Sequence, residues 1–178
     1  EGVKQFAYPK RPFIITRSAY SGAQRYTSSW TGDNVASWEH LWIANIQMQR
    51  MSLSGMGFTG SDIGGFAEQP SGELYARWIQ LGVFHPFCRT HSSGDHGDQE
   101  PWSFDVDVIN ITRKFVNLRY QLLPYLYTMF WEYINDGVPM LKPLVYFDQE
   151  DPQTHYRTDE FIFGNQILVC PILEPNAQ

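Results

Sequence analysis

Four charged side chains, Arg17, Asp33, Asp62 and His91, each close a short apolar run in this sequence of 178 residues. Their types suit reactions at a polar neutral molecule. A carboxylic acid can give and take a proton, and a second carboxylate, an arginine and an imidazole can hold hydroxyl groups by hydrogen bonds. Trp30, Phe66, Trp102 and Tyr20 lie near them along the chain. Flat aromatic faces beside carboxylates suit a pyranose ring, which offers C–H faces to stack on and hydroxyls to bind. Any one of the four charged residues could instead cap the next helix or form a local salt bridge. Four in succession point to one shared site for a carbohydrate.

The elements that must position them follow a rhythm of apolar run, polar or glycine-rich end, then helical pattern. Strands feeding helices across a parallel sheet read this way. Phe13-Ile14-Ile15 reads as a buried strand ending at Thr16-Arg17-Ser18, and a second strand runs from Arg25 through Trp30 to Asp33. Trp38, Leu41, Trp42, Ile46 and Leu53 recur at helical spacing, so a helix over roughly 37–54 turns that face inward. A third strand over 56–60 delivers Asp62 into the turn Ile63-Gly64-Gly65-Phe66, and a short helix follows over 73–81. A fourth strand, Val83-Phe84-His85-Pro86-Phe87, ends at Cys88-Arg89-Thr90-His91. Beyond a polar loop, Val108, Ile111, Phe115, Leu118, Leu122, Leu126 and Met129 trace a long helical stripe that Pro124 should kink or divide. After Asn135-Asp136-Gly137 the pattern changes to short β-like runs over 140–147, 160–163 and 166–173. The chain therefore reads as α/β over 1–136, with its charged residues at the strand ends that converge on the mouth of a (β/α)8 barrel. A second, all-β domain begins at 137–178.

Composition narrows the partners. The chain is 43% hydrophobic and 16% aromatic, enough for a packed core. A net charge of −6 with 13 Lys and Arg argues against nucleic acid and against anionic membranes. No apolar run approaches the ~18 residues of a membrane span. Cys88 and Cys170 stand far apart and read as two buried free thiols. Glu1-Gly2-Val3-Lys4-Gln5 does not resemble a natural start, nor Asn176-Ala177-Gln178 a natural end, so the chain is expected to be an excerpt. Localisation and oligomeric state are left open.

Trp30-Thr31-Gly32-Asp33-Asn34 resembles the second signature of glycoside hydrolase family 31, the α-glucosidase and α-xylosidase family. Thr16-Arg17-Ser18 resembles that family's arginine segment. Gly60-Ser61-Asp62-Ile63-Gly64-Gly65-Phe66 resembles its strand-seven motif, and Arg89-Thr90-His91 its strand-eight motif. Arg77-Trp78-Ile79-Gln80-Leu81-Gly82, Phe84 to Phe87 and Leu123-Pro124-Tyr125-Leu126-Tyr127 fit the same pattern, so the likeness runs from about Arg11 to Leu173. It implies the later strands and helices of a (β/α)8 TIM barrel followed by the beginning of a β-sandwich. It implies a retaining α-glycosidase without a cofactor or metal, acting on an oligosaccharide or α-glycoside. Asp33 then corresponds to the general acid/base, and Arg17, Trp30, Asp62, Phe66, Arg89 and His91 shape the subsite of the sugar released.

A retaining glycosidase needs two carboxyl groups ~5 Å apart, one attacking the anomeric carbon and one protonating the leaving oxygen. Asp33 can supply only the second. Its proton affinity should be raised by burial against aromatics such as Trp30 or by the neighbouring nucleophile. Arg17 would oppose that shift if it bonded Asp33, and is expected to hold the nucleophile or a sugar hydroxyl instead. The family's nucleophile stands in a Trp-x-Asp-Met-Asn-Glu-type segment of an earlier strand, and nothing similar occurs here. Ser28 and Ser29 also stand where many eukaryotic relatives carry glycine and histidine, while Gln24-Arg25-Tyr26 looks closer to bacterial members. α-Glucosidase is the activity implied. α-Xylosidase, another α-glycosidase or a transglycosylase are alternatives within the family, and a noncatalytic carbohydrate-binding module is the alternative outside it. A further alternative is a metal site drawn from His85, His91, Asp95, His96 and Asp98, which crowd one stretch without tight ligand spacing.

Overall fold

The computed structural model describes residues 2–177. A short helix not foreseen in the sequence, α1 (Gly2–Ala7), precedes the first strand. The parallel strands are β1 (Ile15–Thr16), β2 (Ser28–Trp30), β3 (Thr59–Gly60), β4 (Asp62–Ile63) and β5 (Arg89–Thr90). β1, β2 and β3 pair side by side, as do β4 and β5. β3 and β4 are two halves of one strand path interrupted at Ser61, the first half bonded to β2 and the second to β5. This arc of a parallel barrel is joined by α2 (Trp38–Leu53) and α3 (Gly72–Gly82) and followed by α4 (Val106–Asp136).

Side-chain caps fix where the helices start. Ser37 Oγ accepts from His40 N–H, Ser71 Oγ from Leu74 N–H and Asp105 Oδ1 from Val108 N–H. Each contributes about 1 kcal/mol by satisfying a free N–H of the first turn. Gly137, at φ 72°, ends α4 in the left-handed conformation. Pro124 does not divide α4, which runs unbroken for 31 residues.

Two expectations about the elements are corrected. The apolar run Val83-Phe84-His85-Pro86-Phe87 is a buried turn, and the strand is the two residues Arg89–Thr90. Pro86 has no N–H to give a ladder. The carbonyls of Val83, His85 and Pro86 are instead taken by the Arg119 guanidinium of α4, at 2.7, 2.7 and 2.8 Å. The inner face of α2 is also rotated from the predicted one. Leu41, Ala44, Met48 and the polar Asn45, Gln49 and Ser52 are buried, whereas Trp42 and Leu53 are exposed. The polar residues turn inward because the C-terminal segment offers them backbone partners. Asn45 and Gln49 donate to Thr158 O, and Ser52 Oγ accepts from Leu141 N–H.

That segment is an antiparallel sheet of β6 (Leu141–Lys142), β7 (Phe161–Phe163) and β8 (Ile167–Val169). Tyr125 of α4 ties it down: its hydroxyl donates to Phe163 O and accepts from the N–H groups of Asn165 and Gln166. One continuous core joins Trp78, Tyr75 and Leu81 of α3 with Leu141, Phe161 and Phe163 of the sheet. Each such side chain contributes about 1.5–3 kcal/mol by leaving water. Cys88 lies mostly within the protein, but Cys170 is exposed, contrary to expectation, and its thiol donates to Glu160 Oε2.

Candidate active site

Arg17, Asp33 and His91 follow the last residues of β1, β2 and β5, while Asp62 and Arg89 open β4 and β5 and face each other in register. The loops that carry them are stitched together through the backbone. Asn34 O accepts from the N–H groups of both Phe66 and Ala67, at 2.7 and 3.0 Å. Phe66 O in turn accepts from Ser93 N–H at 2.9 Å, and Ala36 N–H donates to Ala67 O at 2.8 Å. Gly65 makes this possible. It sits at φ +90°, and a Cβ there would lie 2.5 Å from Ala36 N.

Asp62 is the buried centre of the group. Its side chain is fully enclosed, and Oδ1 accepts from Arg89 Nε at 2.8 Å across the register pair of β4 and β5. Oδ2 is buried without a partner, and so is Trp30 Nε1. Burial pushes the Asp62 carboxyl above the ordinary aspartate range. Arg89 and His91 pull it down, and the charge of Asp33 pushes it up. The Arg89 guanidinium lies over Trp30 and Phe87, at 5.1 and 5.2 Å from the ring centroids. Phe66 and His91 approach to 5.3 Å between ring centroids. The unpaired acceptor and donor are closed to solvent, and the exposed groups that a hydroxylated ring would meet first are Arg17, Asp33 and His91.

Asp33 stands at the rim, 39% exposed, with Oδ2 3.1 Å from Arg17 Nη1. The expectation that Arg17 leaves Asp33 alone is therefore corrected. Gly32 turns the chain between Trp30 and Asp33 at φ +82°, and the Arg17 side chain lies in ordinary van der Waals range of it, 3.6 Å from where a Cβ would stand. Both partners are solvent-exposed, so the pair is worth about 0–1 kcal/mol and exchanges readily for other partners. Nor is Asp33 buried against Trp30.

Trp102 and Tyr20 lie largely in solvent, at 76% and 86% exposure. His85 is fully buried, whereas Asp95, His96 and Asp98 are exposed on their loop. Among the described residues no three His, Cys, Asp or Glu side chains are grouped to hold a metal ion. Three further residues support the site loops or the turn that leads into β5, and none of them is assigned a role of its own by the sequence. Asn34 acts through its carbonyl. Gln99, nearly buried, donates to Gly65 O at 3.0 Å and holds the glycine turn. Arg119 braces the turn before β5. Only Arg119 left a signal, as a lone arginine four residues after Phe115 and three before Leu122 on an otherwise apolar stripe.

Residues 1–129 match the profile of the glycosyl hydrolases family 31 TIM-barrel domain, and residues 137–178 that of the glycosyl hydrolase family 31 C-terminal domain. Over 177 residues the chain is 43% identical to Alpha-glucosidase 2 of Bacillus thermoamyloliquefaciens, covering 99% of this chain and 22% of that protein. It is 38% identical over 168 residues to Neutral alpha-glucosidase AB of Sus scrofa, covering 94% and 18%. Among solved structures, a family 31 alpha-glucosidase from Bacteroides thetaiotaomicron superposes with a TM-score of 0.91 at 38% identity, covering 96% of this chain and 29% of that one. A glucosidase II alpha subunit bound to Glc1Man2 gives 0.92 at 34% identity, covering 96% and 19%. The chain thus spans about a fifth of the length of the curated relatives it matches.

Proposed function

Because this chain belongs to glycosyl hydrolase family 31, as the later part of its TIM barrel followed by its C-terminal domain, we propose that the protein is a retaining α-glucosidase that releases a non-reducing terminal sugar. The observation that carries the reading is the set Asp33, Trp30, Asp62, Phe66, Arg89 and His91 on successive parallel strands and the loops that follow them, in a chain 43% identical to an alpha-glucosidase. In this reading residues 1–136 contribute the barrel strands and 137–178 open the β-sandwich.

The chemistry divides between the rim and the floor. Asp33, exposed and loosely held by Arg17, protonates the glycosidic oxygen and then takes a proton from water. Its partner, the nucleophile that attacks the anomeric carbon, comes from a segment outside these residues. Arg17 is free to leave Asp33 for that nucleophile or for a sugar hydroxyl. Asp62 Oδ2 accepts from one sugar hydroxyl and Trp30 Nε1 donates to another once binding of the sugar opens these atoms, which are closed to solvent in the free site, where a hydrogen bond is worth more than in water. Arg89 keeps Asp62 aimed and works against the upward push of burial on its carboxyl. Phe66, with His91 beside it, borders the ring of the sugar.

The test is an assay of the full-length enzyme on aryl α-glucoside, α-xyloside and α-galactoside, following the anomer first released by NMR. Turnover of the glucoside with the α-anomer released first supports the reading. Preference for another glycoside, or release of the β-anomer, overturns it.

A further inference from the structure

We propose that Arg119 is a positioning residue for the sugar site, holding from behind the strand end that carries Arg89 and His91. The inference rests on the α-glucosidase reading and adds to it a residue that touches neither substrate nor reacting atom.

The turn between α3 and β5 has an unusual problem of hydrogen bonding. Val83, His85 and Pro86 are buried and outside any helix or strand, so their carbonyls have no ladder to join. An unpaired buried carbonyl costs about 1–3 kcal/mol, and three in four residues would unfold the turn or pull it towards water. Arg119 answers all three from one side chain. Its Nη1 donates to Val83 O and His85 O, and its Nη2 to Pro86 O. The planar fork of guanidinium N–H groups fixes these carbonyls relative to one another as well as to α4.

What lies beyond the turn is the site. Phe87 N–H donates to Thr59 O at 3.0 Å, and Phe87 O packs so tightly on Gly60 that a Cβ there would stand 1.8 Å away. Arg89 then pairs in register with Asp62 and reaches Oδ1 with Nε. Only Phe87 and Cys88 separate Pro86 from Arg89, and Phe87 is packed against Thr59 and Gly60. A displaced turn therefore moves the Arg89 guanidinium off Asp62 Oδ1 and off the face of Trp30, and carries His91 with it. His85 offers no alternative anchor, because neither ring nitrogen has a hydrogen-bond partner. The position of Asp62 Oδ2 is in this way set by an arginine on a helix outside the sheet.

The experiment uses the full-length enzyme with Arg119→Lys, Arg119→Ala and, as a control on the same helix, Tyr125→Phe, whose hydroxyl ties α4 to the C-terminal sheet instead. For Arg119→Lys, a shorter point donor that cannot serve three carbonyls, the expected result is a loss in kcat/KM of roughly 10–100-fold, the size of effect produced by a misplacement of about 1 Å. The loss includes a raised KM in the fraction that remains folded. Millimolar methylguanidinium should restore part of the activity of Arg119→Ala and none of that lost in Tyr125→Phe. An unchanged KM, with kcat falling only in step with the folded fraction and no rescue, would mean that Arg119 merely stabilises the chain, and overturns the proposal. So does the failure of every Arg119 variant to accumulate while Tyr125→Phe accumulates normally. A wild-type enzyme inactive on α-glucosides sinks the α-glucosidase reading and this inference together, whereas an active wild type with unaffected Arg119 variants sinks this inference alone.

Discussion

Asp62 and Arg89 are register partners on neighbouring parallel strands, joined by one 2.8 Å bond that leaves the other carboxylate oxygen buried and free. The pair is a support with one half of the carboxylate left unsatisfied. Arg89 satisfies half of a fully enclosed carboxylate, and the rings of Trp30 and Phe87 hold the guanidinium in place.

Breaking this pair from one side should cost more than removing both charges. Arg89→Met leaves an enclosed carboxylate without its cation and is expected to destabilise by about 3 kcal/mol, the low end for buried pairs because the Arg89 side chain is 27% exposed. Asp62→Asn should cost less, and the double variant should recover part of the loss of Arg89→Met. Denaturation of the four proteins gives the coupling directly. Strict additivity would show that the pair is not energetically coupled.

The Asp33 assignment predicts a leaving-group signature. Asp33→Asn and Asp33→Ala should slow hydrolysis of unactivated disaccharides by roughly 100- to 10,000-fold, while aryl α-glucosides with acidic phenols lose much less, since their leaving oxygen needs little protonation. Rates measured across a series of phenol pKa values decide the matter. A uniform loss across the series would remove Asp33 from the acid/base role.

The alternation of apolar runs and charged ends made the parallel arc legible in the sequence, because each strand must be buried while its end must reach the mouth. The bounds of α2 and α3 and the end of α4 were legible to within a residue or two for the same local reason, since Ser37, Ser71 and Gly137 act within one turn of their own positions. What could not be read depends on distant partners. Val83 to Phe87 has the composition of a strand, and only an arginine brought in from α4 makes it a turn. Asn45, Gln49 and Ser52 look like a solvent face until the C-terminal sheet supplies backbone groups to meet them. At the site, residue types announced Arg17, Asp33, Asp62 and His91, and the family resemblance added Arg89, but the Arg17 to Asp33 contact joins two exposed side chains on different loops and left no mark in the sequence.

Gly60 should be among the least replaceable residues of the arc. A Cβ at this position would stand 1.8 Å from Phe87 O, a backbone atom that the Thr59 bond and the Arg119 clamp prevent from yielding. Gly60→Ala is expected to destabilise by about 3 kcal/mol or more through overpacking and to lower kcat/KM with it. Gly94→Ala, which meets no atom, should cost only about 1 kcal/mol for its positive φ. Equal thermal stability of the two variants would contradict the close approach of the turn to β3.

His85 gives the fold a measurable dependence on pH. The ring is fully enclosed with neither nitrogen bonded, and burial, helped by the nearby Arg119 charge, pushes its pKa down from 6.5 to about 3. Below pH 6.5 the unfolded chain takes up a proton on this histidine that the folded chain refuses until about pH 3. The unfolded state then binds more protons, so the contribution of His85 is fully present above 6.5 and is lost as the pH falls through that window, at about 1.4 kcal/mol per pH unit. Carboxyl groups of the unfolded chain also take up protons as the pH falls, and a variant separates their effect from that of His85. His85→Leu should match or exceed the wild type in stability at pH 7, since two unpaired nitrogens are removed. Its advantage should widen steadily as the pH is lowered towards 4.5. Denaturation curves of the two proteins that run parallel from pH 7.5 to 4.5 would mean that His85 is protonated inside the fold, and that a partner for its second N–H must exist in the native protein.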